Sequence, residues 1–91
     1  MPTFITIHRA PGVTREEVAQ RGGEVLESKH AKFLQNYVNL ADGFIVTVYE
    51  ATDQAALERE YERLGFPFDE IHEVQFGMTR EGLAQRLGKK P

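Results

Sequence analysis

The side chains of this sequence that could carry out chemistry are few. The chain has three histidines, three tyrosines and no cysteine, and Ser28 is its one serine. The missing cysteines exclude disulfides, thiolate metal sites and thiol nucleophiles. No HExxH, GxGxxG or phosphate-loop spacing occurs, and Ser28 has no base in evidence for a triad. The chemistry left open is that of imidazole, phenol and carboxylate groups.

His8 is the strongest candidate, because the predicted sheet brings polar groups of other strands towards it. An imidazole, a carboxylate and a phenol could bind a divalent metal ion or carry out acid–base chemistry. His8 and Glu73 are the candidate metal ligands, and a plain hydrogen bond between them is the simpler alternative. His30 and His72 are expected at the surface. The remaining candidates for a ligand pocket are Thr6, Tyr37, Thr47, Tyr49 and Gln75.

Alternating apolar and polar residues predict the strands that position these side chains. A first strand spans Thr3–Arg9, and residues 32–53 form two strands joined by a turn at Ala41-Asp42-Gly43. Asp-Gly between alternating runs is a strong hairpin signal, since glycine tolerates the positive φ of a tight turn. A fourth strand is expected at Ile71–Gly77.

Capping residues predict three helices between and after these strands. Thr14 with Glu17 forms a capping box. Its helix contains Gly22-Gly23, where either the helix bends or its backbone packs closely on the sheet, and we favour the close packing. Asp53 or Thr52 begins a second helix that Gly65 ends. Thr79 begins a third, short helix at Arg80–Leu87, and Lys89–Pro91 are expected to fray.

The resulting order, βαββαβ, predicts an α+β fold, the ferredoxin-like sandwich. Its four-stranded antiparallel sheet has the spatial order 4-1-3-2, with two helices on one face because each crossover is right-handed. The 91 residues suffice for one domain. Residues 1–91 are therefore expected to be a single ferredoxin-like domain, with a core at 3–77 and a C-terminal helix and tail at 79–91.

The two faces of this sheet differ in character. The face expected under the helices is apolar and includes Ile5, Ile7, Val46 and Val48. The other is too aromatic to face water alone and too polar for an ordinary core. We therefore expect two copies to pack sheet to sheet, as a homodimer of the dimeric α+β barrel type, around a polar-lined cavity. The residues of this second face are Phe4, Thr6, His8, Phe33, Gln35, Tyr37, Ile45, Thr47, Tyr49, Ile71, Glu73 and Gln75.

Charge and hydropathy exclude several classes of partner. The net charge of −3 disfavours nucleic acid, whose phosphates require a basic face. No apolar run approaches the roughly 18–20 residues of a membrane span, and the N-terminus lacks the pattern of a secretory signal. A cytoplasmic protein without nucleic-acid or membrane partners is expected.

Several short segments resemble a family of small bacterial proteins, the nickel-binding-protein-like family, which is largely a domain of unknown function. The resemblance spans residues 3–76, and it implies a dimeric ferredoxin-like fold and, for at least one member, nickel binding. The chain has Thr47 where members often have cysteine, Glu60 where they often have histidine, and Thr52 where they often have proline. The segments are Pro11-Gly12-Val13-Thr14, Tyr37-Val38, Val48-Tyr49-Glu50-Ala51-Thr52-Asp53, Leu64-Gly65-Phe66-Pro67, Ile71 and Glu73-Val74.

Three functions fit these observations. The first is a non-enzymatic homodimer that binds a divalent metal such as nickel, or a small ligand, in the cavity between the sheets. The second is a cofactor-free monooxygenase or isomerase of the dimeric α+β barrel class, with His8 or Tyr37 at the mouth of an apolar pocket. The third is an interaction module without a ligand.

Overall fold

A four-stranded antiparallel sheet forms the body of the molecule. The computed structural model describes residues 1–88. The elements follow in the order β1 (Thr3–Arg9), α1 (Arg15–Gln20), α2 (Gly22–Leu26), β2 (Lys32–Asn39), β3 (Phe44–Glu50), α3 (Gln54–Leu64), β4 (Glu70–Val74) and α4 (Arg80–Arg86). The spatial order of the strands is β2-β3-β1-β4, which reads 4-1-3-2 from the β4 edge. This α+β arrangement is consistent with a ferredoxin-like fold.

The helices begin where the capping residues predicted. The Thr14 hydroxyl accepts the Glu17 N–H at 3.1 Å, and the Asp53 carboxylate accepts the Ala56 N–H at 2.8 Å. Thr79 caps α4 in the same way. Each cap satisfies a backbone donor that has no partner within its helix. Gly65 ends α3 in the left-handed region, with φ +70°.

The turn between β2 and β3 also matches its prediction, and it fixes the end of β1. Gly43 has φ +67°, and its carbonyl accepts the Ala10 N–H at 2.7 Å. A Cβ on Gly43 would collide with the Ala10 carbonyl, so only glycine fits this contact.

The core lies between α3 and the sheet face predicted to be the second face, so the assignment of the faces was wrong. Phe4 and Tyr49 are about 1% exposed and pack against Leu57 and Tyr61 of α3. Thr6 is fully buried on this face and hydrogen-bonds Tyr61. The mixed set can be buried because its polar groups find partners on α3. Ile5, Ile7, Val46 and Val48 occupy the opposite face and are partly exposed.

A bulge in β2 changes which residues of that strand face α3. Phe33 lies opposite Tyr49, but the next registered pair is Gln35 with Val48, so Leu34 is an extra residue. Beyond the bulge, Asn36 lies opposite Thr47, and Tyr37 lies opposite Val46. The prediction that placed Tyr37 on the same face as Thr47 is therefore wrong.

The predicted first helix is two short helices that meet at Arg21. Neither contains a buried residue, and Leu26 is 71% exposed. No atom lies within 4 Å of a Cβ built on Gly22 or Gly23. The expected close packing of these glycines is thus wrong, and the helix bends there instead.

The fourth strand is shorter than expected. β4 ends at Val74 rather than at Gly77, and Gln75 lies exposed beyond it. In α4, Ala84 is the buried residue. The tail predicted at Lys89–Pro91 lies outside the described residues. Within residues 1–88, no helix has the length and apolar character needed to cross a membrane.

Candidate functional site

A cavity of about 490 Å³ separates the α1–α2 pair from the sheet. It exists because α3 packs tightly on the sheet whereas α1 and α2 do not. Its apolar wall includes Val18 and Val25 from the helices and Phe33 and Ile45 from the strands. Ligand sites of small molecules have this size and this predominantly apolar lining.

His8, Thr6 and Tyr61 form a hydrogen-bonded group at one side of the cavity. His8 Nδ1 lies 2.8 Å from the Pro67 carbonyl oxygen, which can only accept, so Nδ1 carries the proton. In the neutral ring Nε2 is then the acceptor, and the Tyr61 hydroxyl at 3.0 Å or the Thr6 hydroxyl at 3.2 Å donates to it. These two hydroxyls also hydrogen-bond each other, so the one that donates to His8 accepts from the other. These contacts hold the imidazole in one tautomer.

Burial favours the uncharged forms of these groups. It lowers the pKa of His8, against smaller opposing effects of the Pro67 carbonyl and the Asp69 charge. Burial also raises the pKa of Tyr61, and together with the Glu60 charge it raises the pKa of Tyr49 to about 12. At neutral pH the cavity therefore presents a neutral imidazole and two protonated phenols.

Two further hydroxyl groups line the cavity beside Tyr61. Thr47 is 6% exposed and Tyr49 is 1% exposed, and both line the cavity. Within residues 1–88, every side-chain nitrogen or oxygen that is fully shielded from solvent has a hydrogen-bond partner. Both hydroxyls lie near enough to the Tyr61 hydroxyl to interact with it, and both border the cavity. The Asn36 side chain, opposite Thr47 in the sheet, lines the cavity beside them.

Polar contacts, rather than close apolar packing, attach α1–α2 to α3. Arg21 stacks on the Phe66 ring at 4.1 Å and donates to the Leu64 carbonyl. Arg63 donates to the Glu24 carbonyl at 3.0 Å and pairs with the buried Glu60 at 2.8 Å. Burial by itself raises the pKa of Glu60, but the hydrogen bonds from Arg63 and the His30 N–H outweigh it, so the pKa is lowered.

The structure brings only some of the predicted site residues together. Thr6, Thr47 and Tyr49 join His8 on the face covered by α3, in one copy of the chain rather than between two. Tyr37 is 64% exposed on the opposite face. Glu73 is exposed opposite Phe4, four residues from His8 along β1, or about 13 Å by the strand rise. Gln75 lies beyond β4.

Sequence reasoning missed Tyr61 and Asn36. Tyr61 was assigned to the apolar stripe of its helix, and its hydroxyl was left without a role. A buried tyrosine normally needs a hydrogen-bond partner, and the apolar sheet face predicted under this helix offers none, so that mismatch is the signal that could have identified Tyr61. Asn36 could not be found, because the bulge at Leu34 leaves no signal in the alternation of β2.

Within the described part of one copy of the chain, His8 and Glu73 cannot bind a nickel ion together. The two side chains are too far apart to share an ion, and both ring nitrogens of His8 already have partners. Across residues 1–88, no group of three histidine, cysteine, aspartate or glutamate side chains could hold a metal ion.

Comparisons with known proteins establish the family. Residues 4–74 match the family described as "Nickel responsive protein SCO4226-like". The crystal structure of SCO4226 from Streptomyces coelicolor A3(2) is similar, with 30% sequence identity and a TM-score of 0.75, over 84% of this chain and 99% of that one. A comparison with curated proteins gave no match. The family match covers most of the chain, so this protein belongs to the SCO4226-like family of nickel responsive proteins.

Proposed function

We propose that this protein binds a small organic molecule in the cavity between α1–α2 and the sheet. The observation that carries the proposal is the cavity itself, about 490 Å³ of mainly apolar lining with a few convergent polar groups. The binding site predicted from the sequence lay between two sheets. The proposed site lies instead inside one copy, and it retains Thr6, His8, Thr47 and Tyr49 from that prediction.

Filling the cavity tests the proposal. Val18 on α1 lines the cavity, so Val18→Phe places a ring inside it, whereas Val38→Phe makes the same change at a half-exposed position that is not part of the lining. We expect 2-naphthol, followed by its own fluorescence, to bind the wild type and Val38→Phe but to bind Val18→Phe at least tenfold more weakly. Failure of 2-naphthol and of the related probes naphthalene, 2-naphthoate and 2-naphthylmethylammonium to bind the wild type, or equal binding of 2-naphthol by Val18→Phe, would refute the proposal.

An enzymatic function of the cofactor-free monooxygenase or isomerase type is a second candidate for the same cavity. Such an enzyme requires an apolar pocket with His8 or Tyr37 at its mouth, and His8 lines the cavity. However, His8 Nε2 already has the Tyr61 hydroxyl at 3.0 Å and the Thr6 hydroxyl at 3.2 Å as hydrogen-bond partners. His8 could act as a base only if a substrate displaced these hydroxyls. Binding without turnover therefore accounts for the geometry more simply.

Divalent metal binding, the other predicted function, is supported by family membership, since the family is named for nickel responsiveness. In the described part of the chain, His72 and Glu70 form a histidine–carboxylate pair at 3.0 Å on the sheet face away from α3. Two such pairs, one from each copy of a homodimer, would supply four donors.

Calorimetric titration with Ni²⁺, Zn²⁺ and Cu²⁺ separates this candidate from the first. If the metal uses the exposed pair, His72→Ala abolishes binding and His8→Ala leaves it unchanged. Loss of binding in His8→Ala alone would instead support the predicted site at His8 and Glu73. Absence of binding in the wild type would exclude the metal function.

A further inference from the structure

The cavity contains two groups of polar side chains. Thr6, His8 and Tyr61 hydrogen-bond one another and the Pro67 carbonyl. The Thr47 and Tyr49 hydroxyls border the cavity, and both have the Tyr61 hydroxyl as a neighbour. A ligand that offers a hydroxyl or carbonyl group to Thr47 and Tyr49 would give them a partner that they do not share.

The available groups lie close together on two neighbouring strands. Thr47 and Tyr49 are two residues apart on β3 and therefore point to the same face. Asn36 is directly opposite Thr47, and Phe33 is directly opposite Tyr49, where the two rings meet edge to face at 5.9 Å. One end of the cavity floor thus offers an amide and two hydroxyls, and each of these groups can both donate and accept.

The charged residues around the cavity are engaged by the protein itself. The Arg9 guanidinium lies 3.7 Å from Glu70, and the Asp69 carboxylate accepts the Arg9 N–H at 2.7 Å. Arg21 pairs with Glu24 at 3.1 Å, and Glu17 accepts from the Thr14 hydroxyl. The charged residues of the lining itself are two cations, Arg9 and Arg21, and two anions, Glu17 and Asp69, so their charges cancel. An ionic ligand of either sign would lose its hydration without meeting a net opposite charge, which is unfavourable.

We propose that the ligand of this cavity is an uncharged, ring-containing molecule whose hydroxyl or carbonyl group hydrogen-bonds Asn36, Thr47 and Tyr49. The apolar walls from α1, α2 and β2 enclose its ring system. The inference rests on the proposed function, because it specifies the ligand class of the same cavity. Recognition follows from the cost of leaving polar groups unpaired, which rejects analogues that lack the hydrogen-bonding group.

Four probes that share one ring system test the chemical class. They are 2-naphthol, naphthalene, 2-naphthoate and 2-naphthylmethylammonium, and binding to the wild-type protein is measured at pH 7.5. We expect 2-naphthol to bind at least tenfold more tightly than each of the others. Equal binding of naphthalene, or tighter binding of either ion, would overturn the proposed class while leaving small-molecule binding intact. Failure of all four probes to bind would instead refute the proposed function.

Two variants test the residues. Tyr49→Phe and Thr47→Val remove one hydroxyl each with little change of shape, and Tyr37→Phe removes a tyrosine hydroxyl from the opposite, exposed face as the control. We expect the first two variants to weaken 2-naphthol three- to tenfold and to leave naphthalene unchanged. An affinity for 2-naphthol that is the same in Tyr49→Phe, Thr47→Val and Tyr37→Phe would overturn the assignment of the anchor. Circular dichroism confirms that each variant is folded.

Discussion

His8 shows how one residue can be fully hydrogen-bonded and still be sensitive to pH. Its Nδ1–H donates to the Pro67 carbonyl, and its Nε2 accepts from the Tyr61 or the Thr6 hydroxyl. Protonation of Nε2 would replace this acceptor by a donor and would place a charge in a partly buried site. Both effects favour the neutral ring, in agreement with the lowered pKa of His8.

The first prediction is a loss of stability at mildly acid pH that depends on His8. The pKa of His8 is lower in the folded than in the unfolded chain, so near pH 6 the unfolded state binds more protons. Its contribution to stability is complete above the unfolded pKa of about 6.5 and decreases as pH falls through that value, by at most about 1.4 kcal/mol per pH unit. We expect the melting temperature of the wild type to fall between pH 7.5 and 5.5.

Two glutamine variants isolate this contribution. His8→Gln removes the titrating ring, so its melting temperature should decline less over the same range, whereas His72→Gln changes an exposed histidine of β4. Thermal denaturation in steps of half a pH unit measures all three proteins. Curves for the wild type and His8→Gln that run parallel would show that another group causes the acid sensitivity.

At the scale of elements, local signals were sufficient to place the helix starts and the hairpin turn. Thr14, Asp53 and Thr79 act through backbone N–H groups three residues away, and Gly43 and Gly65 through their own φ angles. These interactions depend on the immediate neighbours along the chain, so a sequence contains what is needed to predict them.

The faces of the sheet could not be assigned in the same way. Alternation separates two sets of residues but does not say which set a helix covers. We judged the set with Thr6, His8 and Tyr49 too polar for a core. That judgement failed because Tyr61 and Glu60 on α3 bring hydrogen-bonding groups to the interface. Glu60 is fully buried and paired with Arg63, although it belongs to a charged run that reads as a solvated helix face.

The cavity could not be predicted from the sequence either, because it exists where α1 and α2 do not pack closely on the sheet. Val18 and Val25 have the spacing of a buried helix stripe, but in the structure both are only partly buried. A bend near Arg21 and polar contacts from Arg21 and Arg63 hold the two helices away from β2 and β3. Such a balance depends on groups distant in sequence.

The second prediction concerns the bend between α1 and α2. Gly23 lies in a helix with open space around it and no positive φ, so alanine fits there without strain. Gly23→Ala should raise the free energy of unfolding by about 0.5–1 kcal/mol, because alanine loses less conformational freedom than glycine on folding. Denaturation in urea measures the change.

Gly43→Ala is the matched control for this substitution. Gly43 has φ +67°, and an added Cβ would meet the Ala10 backbone, so the same change there should lower the free energy of unfolding by more than about 1 kcal/mol. Destabilisation by Gly23→Ala would indicate that Gly23 is needed for close packing, as the sequence first suggested.

At the scale of the whole molecule, the sheet face away from α3 is the surface with the clearest need for a partner. Ile5 and Ile7 of β1 lie directly opposite Val48 and Val46 of β3, which forms a continuous patch of four β-branched side chains. Tyr37, at its edge, is 64% exposed. Exposed apolar patches of this kind usually mark an interface. The sequence-based expectation of a homodimer therefore persists, with a different face as its interface.

The third prediction is that a charge at the centre of this face separates the two copies. Light scattering at tens of micromolar should report twice the chain mass for the wild type. Ile7→Lys would bring two ammonium groups into an apolar interface, and we expect it to raise the dissociation constant about a hundredfold, or about 2.7 kcal/mol. Leu26→Lys, at a position on α2 that is 71% exposed, should leave the mass unchanged. A wild type that scatters as one chain would show that a different partner, or none, covers this face.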